Sequence, residues 1–246
     1  MKITDVKLIF AKHYLFVQVY TDEGIVGLGE AGNWGYLMAT AAAIEKFKEY
    51  LIGKDPFRIE DFNQNFYRSV YFRGSVVMSA ISAIDIALWD IKGKAAGLPV
   101  YQMLGGRARD KIRVYSWIGG DRPSDVVNQA KARVTAGFTA VKLNCCAEMH
   151  YIDSFTKVED VVERVSSIRD AVGIKLDIGI DFHGRVHKAM AKTLLRELEP
   201  FHPMFVEEPV LPENGEYLSE LAQFTSIPIA CGERLMTRWG YKQVFR

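Results

Sequence analysis

Three short stretches at the start of the chain, 2–10, 14–21 and 26–31, are rich in strand-forming residues. Short runs of this kind, bounded by turn residues, are typical of β-strands. A turn at Asp22-Glu23-Gly24 separates the second stretch from the third. We therefore predict a three-stranded antiparallel meander at this end of the chain.

Apolar residues then recur every three or four positions, which predicts helices over 38–51 and 57–69. The segment 77–95 is apolar on nearly every side, apart from Asp85, Asp90 and its lysines. A helix of this kind is buried on most of its faces. Residues 1–110 are thus predicted to form an α+β domain with a central buried helix.

From about residue 111 the pattern changes to apolar strands that alternate with amphipathic helices. The clearest helical stretches are 156–171 and 187–199. The predicted strands are 112–118, 139–144, 174–181, 204–208 and 227–233. This alternation predicts a parallel sheet with crossover helices, either an open doubly wound sheet or a (β/α) barrel.

A (β/α) barrel needs eight strands, and residues 111–246 supply about five. We therefore expect this part to be an incomplete barrel and the chain to be a fragment of a longer one. An unpaired strand at the edge of such a sheet favours association. A homo-oligomer is the expected state.

Composition narrows the possible partners. The 246 residues are 49% hydrophobic and carry a net charge of +1, so no basic surface for nucleic acid or anionic lipid is expected. No apolar run approaches the roughly 18 residues of a membrane span. The three cysteines have no disulfide or metal-binding spacing, which fits a reducing cytoplasm. A cytoplasmic protein that binds a small molecule is expected.

Three acidic residues close successive predicted strands at equal intervals. Asp181, Glu207 and Glu233 are separated by 207 − 181 = 26 and 233 − 207 = 26 residues, one β-α-β repeat each. Equivalent strand ends meet on one rim of a barrel, where three carboxylates would repel one another unless a cation joined them. An all-oxygen site suits Mg²⁺, with Mn²⁺ as second choice. Alternatively, the acids merely cap the following helices.

Other candidate residues lie on the same rim. His183 follows Asp181 by two positions, and its imidazole can give or take a proton near neutral pH; the alternative is a surface histidine. Lys142 and Asn144 lie two apart on one strand and so share a face. A lysine buried there needs a carboxylate or a substrate as partner.

A glycine pattern, Gly27-Leu-Gly29-Glu-Ala-Gly32, matches the GxGxxG nucleotide-binding fingerprint, and Asp55 follows at a suitable distance. The preceding strands are predicted to be joined by hairpins rather than by a βαβ unit. We therefore interpret these glycines as turning and packing residues of the meander.

Several motifs together resemble the mandelate racemase branch of the enolase superfamily. They are the acidic triplet, Glu207-Glu208-Pro209, Gly232-Glu233-Arg234 and the helix exit over 87–106. Further motifs are similar to sugar-acid dehydratases of the galactonate type, namely YSWIGGDRP (115–123), DFHGRV (181–186) and EEPVLPE (207–213). The similarity extends over the whole chain.

This resemblance implies a capping domain over residues 1–110, followed by a modified (β/α)7β TIM-type barrel, here incomplete, from residue 111. It implies that Asp181, Glu207 and Glu233 bind one Mg²⁺ per subunit and that His183 is the general acid. The implied reaction is the dehydration of a galactonate-like sugar acid to a 2-keto-3-deoxy acid through an enediolate, which must be stabilised electrostatically.

The chain departs from the pattern of the branch in one respect. Racemases of this branch carry a second lysine where this chain has Asn144, for which substrate hydrogen bonding is the expected role. The dehydratase base is expected on later strands, beyond Arg246. The alternatives are therefore a racemase or epimerase, a dehydratase of another sugar acid, or an inactive remnant without the base.

Overall fold

The three β-rich stretches at the start of the chain form the predicted antiparallel meander. In the computed structural model, which describes residues 1–69, 71–120, 122–242 and 244–245, β1 (Ile3–Ala11), β2 (Tyr14–Thr21) and β3 (Val26–Glu30) pair in that order. The central strand buries every second side chain from Leu15 onward. One face of β2 is therefore packed in the core of this unit.

In the described residues, four helices complete the first unit, Met1–Asp110. They are α1 (Leu37–Leu51), α2 (Ile59–Ser69), α3 (Ser75–Ala96) and α4 (Val100–Met103). Helix α3 is the predicted buried central helix, and it contacts β2, β3, α1 and α2. It ends at Gly97, whose left-handed φ of 66° suits glycine at a helix C-cap.

Two glycines of the GxGxxG pattern allow β3 to lie directly against α3. A Cβ added to Gly27 would lie 2.1 Å from the Ala87 carbonyl oxygen, and one added to Gly29 would lie 1.9 Å from that of Ala83. Because β3 pairs antiparallel with β2, it is not the first strand of a βαβ unit. The glycines therefore serve strand–helix packing, and they lie within β3 rather than at a turn.

The second unit, Lys111–Arg246, contains the predicted parallel sheet. Its strands follow the chain order: β4 (Ser116–Trp117), β5 (Ala140–Asn144), β6 (Asp177–Asp181), β7 (Phe205–Glu207) and β8 (Ile229–Ala230). A helix follows each strand: α5 (Pro123–Thr135), α6 (Phe155–Val172), α7 (Lys188–Leu198), α8 (Glu216–Phe224) and α9 (Thr237–Tyr241). Short 3₁₀ turns occupy Glu199–Phe201 and Pro212–Asn214. This is a partial TIM-type barrel.

The two outer strands are shorter than predicted. Only Ser116 and Trp117 of the predicted strand 112–118 pair with β5. The predicted strand 227–233 ends at Ala230 instead, and Gly232, at a φ of 142°, takes a conformation that favours glycine. Glu233 therefore lies in the turn after β8 rather than at its last position.

The apolar stretches between these ends are buried as the pattern predicts. Ile178, Ile180 and Val206 are fully buried between the sheet and its helices. Across the described part of the chain, no helix is both long and apolar enough to cross a membrane.

Candidate active site

The parallel register brings polar residues of three strands into one row. Asn144 is the partner of Asp181, and Asp181 is the partner of Glu207. Each of these residues is the last of its strand, because the chain turns at the same level after β5, β6 and β7. The row marks the carboxyl-terminal edge of the sheet, the edge that carries active sites in barrels of this type.

Lys142 joins two of the predicted metal ligands. Its Nζ lies 3.0 Å from Asp181 Oδ2 and 2.5 Å from Glu207 Oε2. Burial by itself would lower the pKa of Lys142, but the hydrogen bonds to Glu207 and Asp181 outweigh burial, so the pKa is raised above its usual value. The ammonium group thus stays protonated throughout the neutral range.

His183 lies between Asn144 and Glu233. Its Nδ1 is 3.4 Å from the Asn144 amide nitrogen, and its Nε2 is 3.4 Å from Glu233 Oε1. The backbone N–H of His183 donates to Asp181 Oδ1 at 2.7 Å, and its φ of 56° is left-handed. An Asp side chain that accepts a hydrogen bond two residues further on stabilises such a turn. The strand end therefore directs the imidazole back over the row.

Two residues without an assigned role in the sequence analysis belong to the same edge. Glu208 is 3% exposed. Arg234 Nε lies 3.1 Å from Glu208 Oε2, which is close enough for an ion pair. The Oε2 atom accepts no hydrogen bond. Burial raises the pKa of Glu208 to about 7. The positive charge of Arg234 lowers this pKa, whereas the negative charges of Glu233, Asp181 and Glu207 raise it further.

Both residues stand inside sequence motifs, Glu208 in EEP and Arg234 in GER. The pattern did not single out Glu208, because adjacent strand residues point to opposite faces. Among the described residues, Asp181 and Glu208 are the charged residues that are buried. Their position at one edge marks it as the chemically specialised part of this unit.

The predicted ligands at this edge, Asp181, Glu207 and Glu233, have different neighbours. Lys142 lies between the first two, whereas Glu233 faces His183 and, at 3.9 Å, Arg234. No group of three or more His, Cys, Asp or Glu side chains in the described residues stands ready to hold a metal ion. A shared cation would therefore require the Lys142 and Glu233 side chains to change position.

The chemistry of the donors nevertheless fits a hard divalent cation. Four carboxylates, Asp181, Glu207, Glu208 and Glu233, stand beside two cations, Lys142 and Arg234. All the anionic donors are oxygens, which Mg²⁺ prefers. Because the pKa of Glu208 is raised to about 7, it is the other three carboxylates whose negative charge outweighs the two cations at neutral pH.

Both units match known protein families. Residues 4–105 match the N-terminal domain of the mandelate racemase / muconate lactonizing enzyme family, and residues 125–246 match the enolase C-terminal domain-like family. An enolase from Pantoea ananatis, solved with bound D-gluconate and Mg, is 33% identical with a TM-score of 0.87, over 98% of this chain and 68% of the other. A member of the enolase superfamily from Salmonella Typhimurium is 31% identical with a TM-score of 0.88, over 98% and 69%.

Two curated relatives carry the same name. A D-galactonate dehydratase from Variovorax paradoxus is 52% identical over 95% of this chain, and one from Pectobacterium atrosepticum is 51% identical over 99%. The chain spans 62% and 63% of the lengths of these two relatives. By its two domains and its barrel edge, the chain belongs to the mandelate racemase / muconate lactonizing enzyme branch of the enolase superfamily.

Proposed function

We propose that this chain carries the metal site and the general acid of a hydro-lyase that dehydrates a galactonate-like sugar acid to a 2-keto-3-deoxy acid. The observation that carries the proposal is the row of Asn144, Asp181 and Glu207 at one sheet edge, with His183 above it. Half-identical relatives named D-galactonate dehydratase support this substrate class.

The proposed Mg²⁺ ligands are Asp181, Glu207 and Glu233, with Mn²⁺ as an alternative ion. When bound, the ion supplies a Lewis acid that makes a proton next to a carboxylate easier to remove. Lys142 provides a second fixed positive charge at the same edge, since its pKa is raised by its hydrogen bonds. We assign it to the substrate carboxylate, where charge develops as the proton leaves.

His183 is the proposed general acid. The side-chain amide of Asn144 lies 3.4 Å from Nδ1 of His183, and Glu233 Oε1 lies 3.4 Å from Nε2. As an imidazolium, His183 can give a proton to the hydroxyl group that leaves carbon 3, which departs poorly as hydroxide, and it is then left as neutral imidazole. Asn144 and Glu233 thus orient the ring of the proposed acid.

No residue of the row is assigned as the base. Lys142 stays protonated between its carboxylates, and the amide of Asn144 cannot take up a proton. The lack of a basic group at position 144 favours dehydration over racemisation.

We further propose that residues 1–110 are the capping domain and residues 111–246 the catalytic part. The proposal of a homo-oligomer rests on β4 and β8 being edge strands, each paired on one side only within the described residues. The three free cysteines support a reducing cytoplasm.

Calorimetric titration with Mg²⁺ tests the metal site on this chain. Glu207→Gln and Glu233→Gln should each weaken binding strongly, because a neutral amide is a poor ligand for a hard cation. Glu213→Gln is the matched control, since Glu213 is exposed in a 3₁₀ turn. Wild-type affinity in both site variants would refute the ligand assignment.

The role of His183 is tested in a form of the protein that dehydrates D-galactonate. His183→Asn should slow dehydration by about 10² to 10⁴, yet still exchange the α-hydrogen in D₂O. A 3-deoxy-3-fluoro substrate should restore elimination, because fluoride leaves without an acid. A variant that binds Mg²⁺ but neither exchanges nor expels fluoride would contradict the role.

A further inference from the structure

Arg234 contacts all three turns that follow β6, β7 and β8. Its Nη2 donates to the backbone carbonyl of His183 at 2.9 Å. Its Nε lies 3.1 Å from Glu208 Oε2 and 3.9 Å from Glu233 Oε1. One guanidinium group thus joins the proposed acid, a buried carboxylate and a proposed metal ligand.

The turns that Arg234 joins are conformationally unfavourable. His183 has a φ of 56° and Glu208 a φ of 43°, both in the left-handed region that side chains with a Cβ seldom adopt. Such residues persist when surrounding contacts hold them. The backbone N–H of Gly184 donates to the carbonyl of Glu208 at 3.0 Å, so each turn helps to fix the other.

A guanidinium group suits this arrangement better than an ammonium group. It is planar and permanently charged, and it presents donors in fixed, divergent directions. Arg234 uses Nη2 toward His183 and Nε toward Glu208. A lysine could reach one partner but has a single terminal nitrogen.

We propose that Arg234 is a positioning residue that holds the main chain of His183, and through it the direction of the imidazole. This inference rests on the proposed function for the identity of the reaction. Arg234 acts on the acid through the backbone, so its loss should affect proton delivery to the leaving group. Removal of the α-proton should change little.

Hydrogen–deuterium exchange on this chain tests the contact itself. Arg234→Gln should make the backbone amides of 181–186 and 207–210 exchange about tenfold faster, as expected when a charged hydrogen bond is lost. Arg234→Lys should recover protection at 207–210 but not at 181–186. Arg238→Gln, which removes an arginine that packs over Trp239, is the control and should exchange as wild type.

Two substrates test the consequence in a form of the protein that dehydrates D-galactonate. Arg234→Gln should lower kcat for the hydroxy substrate about a hundredfold, as for impaired acid catalysis. It should leave expulsion of fluoride from the 3-deoxy-3-fluoro analogue within about threefold of wild type, since that departure needs no acid. The far-UV circular dichroism spectrum and the urea unfolding midpoint serve as checks that the fold is retained.

The outcomes separate the two proposals. Unchanged exchange in Arg234→Gln overturns the positioning role, and so does an equal loss of both reactions. Undiminished dehydration of D-galactonate by His183→Asn contradicts the proposed function, while the exchange experiment still decides whether Arg234 holds the turn.

Discussion

Replacing Lys142 by Met gives the sharpest test of how the barrel edge is held together. The ammonium lies 3.0 Å from Asp181 and 2.5 Å from Glu207, with side-chain exposures of 12%, 3% and 15% for the three residues. Methionine fills a similar volume without the charge. The two carboxylates would then remain close together and largely desolvated, without a counter-charge.

Removing one partner of a buried ion pair costs about 3–5 kcal/mol. Lys46→Met is the matched control, because Lys46 pairs with Glu49 where both side chains are about 70% exposed. A pair of that kind contributes about 0.3–0.5 kcal/mol. The two lysine substitutions should therefore lower the free energy of unfolding by amounts that differ by several kcal/mol, although each removes one ammonium group from an ion pair.

Urea unfolding in the presence of a chelator measures the difference. The triple variant Lys142→Met/Asp181→Asn/Glu207→Gln should regain much of the loss, because no uncompensated charge is left. A Lys142→Met variant within about 1 kcal/mol of Lys46→Met would refute the reasoning. It would mean that water or side-chain movement compensates the carboxylates.

The raised pKa of Lys142 determines how its contribution to stability changes with pH. Its hydrogen bonds with Glu207 and Asp181 overcome the effect of burial, so the folded value lies above 10.5. A cation whose folded pKa is raised contributes stability fully below its unfolded pKa, and this is lost as the pH rises through the folded pKa. The advantage of Lys142 should therefore persist at neutral pH and shrink only in strong alkali.

Two further predictions concern Glu208 and the glycines of β3. Burial raises the pKa of Glu208 from 4.5 to about 7, so between these pH values the folded state holds a proton that the unfolded state has lost. The free energy of unfolding of the wild type, relative to that of Glu208→Gln, should therefore fall from pH 4.5 to 7. A constant difference between the two proteins would contradict this. Gly29→Ala should cost about 1–3 kcal/mol or more through its clash with Ala83. Gly32→Ala, whose Cβ would meet open space, should change the melting temperature little, and equal losses would disprove the packing role.

The sequence predicted the elements of both units because their packing leaves a regular pattern. Helix α6 was predicted over 156–171 and spans Phe155–Val172, since its apolar residues face the sheet at helical spacing. The meander was predicted from β-rich stretches bounded by turn residues. Strand ends were less predictable: β8 ends three residues before Glu233, because hydrogen-bonding partners and Gly232 decide where pairing stops.

The sequence by itself also placed Asp181 and Glu207 at neighbouring strand ends, because equal repeats put equivalent residues at equivalent positions, whereas it did not single out Glu208. Only the tertiary structure decided what those acids contact. Lys142 lies between Asp181 and Glu207, and Arg234 joins His183 to Glu208. These contacts cross separate strands and depend on left-handed turns at His183 and Glu208. Local periodicity carries no information about such turns, because long-range contacts are what hold them in place.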